Sequence, residues 1–204
     1  NFFLTILIIY YLNIKGNFKF IQISLILFIQ MLSFSGGYFI LIYLVIYLIF
    51  NEKINIKNKV GILLILVSIL FLSNNLIPTF NENNPYIMVD YKSYFSAIKI
   101  SQIIFSFLGM ISSIYLPYIF LKIDIFKNLS ILLGIVQLTV LYIIFIKSKI
   151  NFNKFITENP FLIIGIIGCI MISIARTGHF SELRYATYSI IFQLGFFIFI
   201  LKSK

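Results

Sequence analysis

The sequence predicts an all-α fold, a polytopic bundle of transmembrane helices with about seven to nine membrane segments, some of them short or re-entrant. Two observations predict this fold. The 204 residues are 61% hydrophobic and 11% charged, whereas a soluble domain carries about 25% charged residues. The apolar residues also form long runs, separated by short polar stretches rich in lysine. Lipid is therefore the expected environment, and the composition excludes a water-soluble globule, a disordered chain and a disulfide scaffold.

The first half of the chain predicts short helices followed by one longer span. Residues 1–13 are too short to cross a membrane and are interpreted as the tail of a helix that begins upstream of Asn1. Residues 18–50 as one helix would be about 50 Å long, longer than a membrane is thick. The residues Ser-Phe-Ser-Gly-Gly at 33–37 predict a turn within that run. The predicted spans are 18–33, 38–50 and 60–78, with polar loops at 51–59 and 79–93.

The second half predicts three further spans, at 129–146, 160–175 and about 187–201. Asn159 and Pro160 mark a helix start, with the asparagine side chain as the cap and proline in the first turn. Residues 94–121 have two interpretations. They form either a single span or a re-entrant hairpin that is broken near Gly109 to Ser113.

Charge counting distinguishes the two interpretations of residues 94–121. A hairpin places ten lysines on one side of the membrane against six Lys and Arg on the other, whereas a single span gives nine against seven. The positive-inside rule therefore favours the hairpin, with a cytoplasmic C-terminus and with residues 79–93 and 176–187 outside. The excess of 16 basic over 6 acidic residues is interpreted as this orientation signal, so no nucleic-acid partner is expected.

The predicted spans contain almost no ionisable side chains. Lys99 lies near the start of its segment, where a long side chain can reach the interface. Cys169, inside an apolar run, is expected to be a small packing residue. A metal site needs three or four ligands, and with one His and one Cys no metal or other cofactor is expected. Glutamines in the spans predict hydrogen bonds between helices: Gln22, Gln30, Gln102, Gln137 and Gln193.

The densest polar segment lies between the last two predicted spans and contains both arginines and the only histidine of the sequence. The planar guanidinium group can bind phosphate or carboxylate through two hydrogen bonds. Two interpretations stay open. The arginines are interfacial anchors, one of them paired with Glu182, or they bind an anionic head group such as a lipid pyrophosphate. The candidate substrate-binding residues are Arg176, Gly178, His179, Glu182, Arg184 and Tyr185, and no catalytic residue is assigned.

This segment resembles the C-terminal region of bacterial multi-pass envelope proteins that are loosely similar to membrane glycosyltransferases of the GT-C type. The residues that carry the resemblance are Ala175-Arg176, Gly178, Arg184-Tyr185 and Thr187, with Phe107-Leu108-Gly109 as a weaker match. The resemblance covers the second half of the chain. It implies an envelope protein that handles a lipid-linked sugar and whose catalytic carboxylate lies in an external loop upstream of Asn1.

We interpret residues 1–204 as a single transmembrane helical domain, truncated at its N-terminus. The expected function is the handling of a lipid-linked sugar or glycan at the outer face of the bacterial inner membrane. Its expected partners are membrane lipids and a lipid-phosphate-linked sugar, and whether catalysis is involved stays open. Two alternatives are a non-catalytic membrane subunit of an organellar respiratory complex and a transporter or flippase.

Overall fold

The computed structural model of the chain describes residues 2–13, 19–33, 36–76, 97–115, 124–175 and 186–203. Within these ranges the regular structure consists of nine α-helices and one 3₁₀ turn, so the predicted all-α class is confirmed for them. The chain divides into two compact units, which are described separately. Unit 1 is Asn1–Val89 and unit 2 is Asp90–Lys204.

Unit 1 contains four helices: α1 (Phe2–Asn13), α2 (Lys19–Ser33), α3 (Gly36–Phe50) and α4 (Ile56–Leu76). α2 packs against each of the other three. Gln30 of α2 donates a hydrogen bond to Thr5 of α1, with Nε2 and Oγ1 3.2 Å apart. The predicted division of residues 18–50 into two helices is confirmed, because α2 ends at Ser33 and α3 begins at Gly36.

α4 begins within the stretch that was predicted to be a polar loop. The side chain of Asn55 accepts a hydrogen bond from the backbone N–H of Lys57, with Oδ1 and N 3.4 Å apart. The backbone carbonyl of Asn55 accepts a hydrogen bond from the N–H of Lys59 at 3.0 Å. Asn55 thus caps the helix. The helix therefore begins at Ile56, before the predicted start at residue 60.

Unit 2 contains five helices and the 3₁₀ turn: α5 (Ala97–Ser112), the turn Ser113–Tyr115, α6 (Asp124–Ser148), α7 (Phe152–Glu158), α8 (Pro160–Ala175) and α9 (Ala186–Lys202). The helix α6 begins earlier than predicted because Asp124 lies in its first turn, where a carboxylate interacts favourably with the helix dipole. The seven-residue helix α7 was not predicted.

The four long helices of unit 2 alternate in direction. α5 is antiparallel to α6, since Leu108 lies beside Gly134 and Ser112 contacts Ser130. α8 is likewise antiparallel to α9. Gln137 of α6 contacts Gln193 of α9. Nearer the ends of these two helices, Phe145 and Phe199 both contact the ring of Phe155 in α7, so α6 and α9 run in the same direction. One end of unit 2 therefore contains the last residues of α6 and α9 together with α7, and we call it the α7 end. The opposite end contains the start of α6, the end of α8 and the start of α9.

The hairpin that was favoured for residues 94–121 is wrong for the part of this segment that the structure describes. α5 is continuous past Gly109 and ends at Ser112, and only then tightens into the 3₁₀ turn. Because α5 is antiparallel to α6, Ala97 and Asp124 lie at opposite ends of unit 2, as the single-span interpretation requires. The charge count for that interpretation is nine against seven, which is too even to orient the whole chain.

Glycines allow α8 and α9 to approach each other at backbone distance. A side chain placed on Gly165 would overlap the backbone of Phe192, and one placed on Gly195 would overlap the backbone of Leu162. Small residues at such crossings let membrane helices gain van der Waals contact and approach closely. This helix pair is closely packed, and its two helices come immediately before and after residues 176–185 in the sequence.

Two of the described helices are long and apolar enough to cross a membrane, namely α4 over Ile56–Ser73 and α6 over Asp124–Ser148. The pair α7–α8 is a third if its two bent parts form one span. The other apolar helices have 12 to 17 residues, fewer than the roughly 20 that a span needs. The predicted count of seven to nine segments is thus not confirmed, but membrane association is supported. α6 is the best candidate for a helix in contact with lipid, since only 17% of its span is buried and its exposed surface is apolar.

The junction between α7 and α8 differs from the predicted cap. The two helices meet at 89°, and Pro160 is the first residue of α8, as predicted. The Asn159 side chain does not cap α8. Its Nδ2 donates a hydrogen bond back to the carbonyl of Phe155 in α7, 3.0 Å away, and its buried Oδ1 has no hydrogen-bond partner. Asn159 therefore closes the preceding helix, and the predicted role of its side chain is wrong.

Candidate functional site

The six predicted substrate-binding residues lie outside the residues that the structure describes: Arg176, Gly178, His179, Glu182, Arg184 and Tyr185. The two acidic residues of the predicted loop 79–93, Glu82 and Asp90, also lie outside the described residues. The structure does describe the two helices on either side of the arginine segment. α8 ends at Ala175, immediately before Arg176, and α9 begins at Ala186, immediately after Tyr185.

Four polar side chains meet beside the end of α5, and we call them the amide cluster: Tyr115, Gln137, Ser189 and Gln193. Gln137 and Gln193 form a reciprocal pair, in which each amide donates to the other over N···O distances of 3.2 and 3.1 Å. The Tyr115 hydroxyl donates to Gln193 Oε1 at 2.6 Å. Gln193 Nε2 donates to the Ile111 carbonyl at 2.6 Å, and Ser189 donates to the same carbonyl at 3.1 Å.

Serines satisfy the neighbouring carbonyls of α5. Ser130 of α6 donates from its hydroxyl to the carbonyl of Gly109, 2.8 Å away, and the Ser113 hydroxyl donates to the carbonyl of Met110 at 3.0 Å. The Ser112 hydroxyl donates to the backbone carbonyl of Ser130 and lies 2.9 Å from the Ser130 hydroxyl. Ser112 and Ser130 thus join the end of α5 to α6 within the buried interior.

Together these contacts explain how α5 can end inside an apolar bundle. The last four carbonyls of an α-helix lack partners within the helix, and in lipid an unsatisfied backbone group costs several kcal/mol. Side chains from α6 and α9 serve as partners for Gly109 and Ile111. The groups involved are amides and hydroxyls, which are neutral near neutral pH. The cluster can therefore hold helices together and offer hydrogen bonds, but it carries no charge with which to bind an anion.

The predicted interhelical hydrogen bonds of the glutamines are confirmed for Gln30, Gln137 and Gln193. The other two, Gln22 and Gln102, have exposed side chains. The scattered serines of the spans were expected to form such bonds too, but the sequence did not single out the four residues that contribute here: Ser112, Tyr115, Ser130 and Ser189. One signal was available, because Ser189 and Gln193 are four residues apart and therefore share a face of α9.

Cys169 agrees with its predicted role, and Lys99 has its predicted place near the start of a helix. The Cys169 side chain is fully buried in α8, as expected of a packing residue. Lys99 lies half-buried in the first turn of α5, close to the helix end. Among the residues that the structure describes, no three His, Cys, Asp or Glu side chains lie close enough together to hold a metal ion.

Comparisons of the chain with protein-family models, with curated proteins and with solved structures gave no match.

Proposed function

We propose that this chain is an integral protein of the bacterial inner membrane that binds the phosphate of a lipid-linked sugar at its outer face. It belongs, in this proposal, to an envelope protein that handles glycans. The guanidinium groups of Arg176 and Arg184 bind the phosphate, and Tyr185 packs or donates a hydrogen bond beside them. Gly178, His179 and Glu182 line the same segment.

The observation that supports this proposal most strongly is the packing of α8 against α9. Gly165 and Gly195 bring the two backbones into contact, so the helices that deliver residues 176–185 are held firmly against each other. Binding groups that are attached to a rigid pair of helices lose less conformational entropy when a ligand arrives. A segment with both arginines of the sequence is thus attached to a closely packed pair of helices.

Charge at this end of unit 2 also favours an anionic ligand. Among the described residues there, Asp124 and Lys127 form an ion pair with 3.0 Å between Oδ1 and Nζ, and so they neutralise each other. The connecting segment adds Arg176, Arg184 and the single acidic residue Glu182. Arginine binds phosphate through two parallel hydrogen bonds, which a single lysine cannot provide.

The proposed orientation rests on the lysines of the α7 end. Lys147, Lys149, Lys154 and Lys202 are all exposed there. Within unit 2 alone, the described residues of the opposite end include a single lysine, Lys127, so the positive-inside rule favours the α7 end of this unit as the cytoplasmic one. The C-terminus is therefore cytoplasmic in this proposal. Residues 176–185, attached to the opposite ends of α8 and α9, then face outside, where lipid-linked sugars are used to build an envelope.

A binding measurement on the full chain tests the proposal. The protein is reconstituted in nanodiscs of phosphatidylcholine that contain either a polyprenyl phosphate or the corresponding polyprenol, and lipid retention is measured by native mass spectrometry. We expect the phosphate to be retained preferentially by the wild type. We also expect Arg184→Ala to weaken that retention about tenfold or more, since a charge-assisted bidentate contact is lost. Arg184→Lys should recover only part of it.

The matched control is Lys57→Ala, which removes one exposed positive charge at the start of α4 and should leave phosphate retention unchanged. Equal retention of the phosphate and the alcohol by the wild type would contradict the proposal. So would an Arg176→Ala, Arg184→Ala double variant that binds the phosphate as the wild type does. In either case the alternative that the chain is a non-catalytic membrane subunit of an organellar respiratory complex becomes the better interpretation. Stable co-purification with other membrane subunits tests that alternative.

A further inference from the structure

The short helix α7 lies across one end of unit 2 instead of continuing the direction of α8. The two helices meet at 89°. The ring of Phe155 in α7 packs edge-to-face against Phe145 of α6 and Phe199 of α9, with centroids 5.0 and 5.3 Å apart. Edge-to-face aromatic pairs of this kind stabilise a contact beyond the apolar area that they bury. α7 is therefore fixed to both neighbouring helices at its buried side.

The opposite side of this end is strongly basic. Four exposed lysines surround α7, and we call them the basic elbow: Lys147, Lys149, Lys154 and Lys202. Lys202 belongs to this surface because its Nζ donates a hydrogen bond to the backbone carbonyl of Glu158, 3.1 Å away. Glu158 is the one acidic residue of the described stretch from Lys147 to Pro160. Four lysines and one glutamate give this surface a net charge of +3.

Large apolar side chains lie exposed beside these lysines. Phe152 in the first turn of α7 is 53% exposed, and Ile146 and Leu201, next to Lys147 and Lys202, are also exposed. Aromatic and apolar groups that alternate with lysine are typical of helices that lie in the membrane interface, with the rings in the acyl boundary and the ammonium groups among the phosphates. A purely aqueous surface gains nothing from exposing Phe152.

We propose that α7 lies in the plane of the membrane interface and that the basic elbow binds the phosphate groups of anionic phospholipids. The charge of +3, the perpendicular helix and the exposed apolar side chains together fit a negatively charged leaflet. Each lysine near an anionic membrane surface adds favourable binding energy, and the exposed apolar side chains add burial in the acyl boundary. The site is separate from the arginine segment, which is attached to the other end of α8 and α9.

Lipid selectivity of the full chain tests the basic elbow. The protein is purified in a neutral detergent and mixed with equal amounts of phosphatidylglycerol and phosphatidylcholine, and the retained lipids are counted by native mass spectrometry. We expect the wild type to retain phosphatidylglycerol preferentially. In the triple variant Lys147→Gln, Lys149→Gln, Lys154→Gln that preference should fall about tenfold or more, because three lysines are lost from the surface.

The matched control is Lys53→Gln, Lys57→Gln, Lys59→Gln, which removes the same charge from unit 1 and should keep the preference. Circular dichroism of both triple variants establishes that their helices are intact. The proposal is overturned if the wild type shows no preference, if the elbow variant keeps it, or if the control loses it equally. It is also overturned if an acidic peptide displaces phosphatidylglycerol at a lower concentration than the lipid itself does, since that would identify a protein partner.

A fluorescence measurement locates α7 independently of charge. The sequence contains no tryptophan, so Phe152→Trp introduces a single tryptophan on α7, whose emission can be excited selectively over that of the 13 tyrosines. Phosphatidylcholines brominated near the head group should quench it more strongly than those brominated near the chain end. Val136→Trp, at an exposed position in the middle of α6, should show the reverse order. Deep quenching of tryptophan at 152, or no quenching by either lipid, would overturn the interfacial position.

Discussion

The Gln193 side chain of α9 donates a hydrogen bond to the backbone carbonyl of Ile111 in α5, with Nε2 and O 2.6 Å apart. That carbonyl lies at the end of its helix, where no intrahelical partner is in place. A side chain of α9 thus satisfies a backbone hydrogen-bond acceptor of α5. Gln193 also uses its other donor and both acceptor positions within the amide cluster, which is the full capacity of an amide.

Replacement of Gln193 by leucine should therefore destabilise the protein by roughly 2–3 kcal/mol, since several interhelical hydrogen bonds are lost and each is worth about 0.6 to 2 kcal/mol in a membrane protein. Gln137→Leu should cost less, because Gln193 keeps its contacts with Ile111 and Tyr115. The measurement is the free energy of unfolding in a dodecyl sulfate titration. Gln22→Leu makes the same chemical change at an exposed position, and an equal loss there would show that the cluster does not stabilise the fold.

Glycine-to-alanine substitutions separate close packing from helix propensity. At Gly195 and Gly165 a Cβ would overlap the backbone of the facing helix, so Ala should destabilise by about 1–3 kcal/mol through overpacking. Gly61 of α4 has open space around it, and Ala there should stabilise by up to about 1 kcal/mol because glycine is the poorer helix former. The same titration measures all three variants. Opposite signs are expected, and a destabilising Gly61→Ala would contradict this explanation.

The helices were predictable where apolar runs are long and bounded by clear signals. Pro160 and Arg176 delimit α8 at its predicted residues, and α9 differs from its prediction by one residue at each end. The starts of α4 and α6 were not predicted, since Asn55 and Asp124 carry these helices into stretches whose composition resembles loops. α7 was missed because seven residues next to lysines are too few to show an apolar period.

The contacts between helices were the least predictable feature. Glutamines in apolar segments predict hydrogen bonds of some kind, but the sequence does not specify which helices face each other. Ser112 and Ser130 illustrate this, because their pairing depends on the antiparallel register of α5 and α6. The break that was expected from Gly109 to Ser113 had a physical basis, since α5 does end at Ser112. The serines there complete the end of one helix and do not form the turn of a hairpin.

Asn159 supplies a test in which charge and hydrogen bonding have different effects. Its Nδ2 closes α7 by donating to the Phe155 carbonyl, while its buried Oδ1 is unpaired. Asn159→Ala removes one favourable bond together with one unsatisfied acceptor, so its cost should stay near or below about 1 kcal/mol. Asn159→Asp buries a carboxylate without a donor and should cost more, by about 2 kcal/mol or above.

The Asp variant should also depend on pH in a defined direction. Burial raises the pKa of a carboxyl group above its value in the unfolded chain, so the folded state binds the proton more tightly. The variant's deficit relative to the wild type should therefore be largest near pH 7 and shrink as pH falls to about 4. Thermal unfolding at both pH values measures this. A deficit that grows at low pH would mean that the 159 side chain is not buried as described.

The orientation of unit 2 can be tested with two conservative cysteine variants, Ser181→Cys and Ser203→Cys. The native Cys169 is fully buried in α8, so it should stay unreactive towards a membrane-impermeant maleimide and need not be removed. With a cytoplasmic C-terminus, Cys at 203 should react in inverted vesicles, and Cys at 181 should react from the outer face only. Both variants should react fully after denaturation, which controls for the reagent.

The labelling results distinguish two questions: whether α9 crosses the bilayer, and which of its ends faces the cytoplasm. Reaction of the two positions from opposite faces, but with the sides exchanged, would preserve α9 as a crossing helix and reverse the orientation inferred from the lysines of the α7 end. Reaction of both from one face would mean that α9, with 17 residues, does not cross the bilayer. A full span needs about 20 residues, so if the expected result is obtained, local thinning of the bilayer or flanking basic side chains that reach the interface must compensate for the short helix.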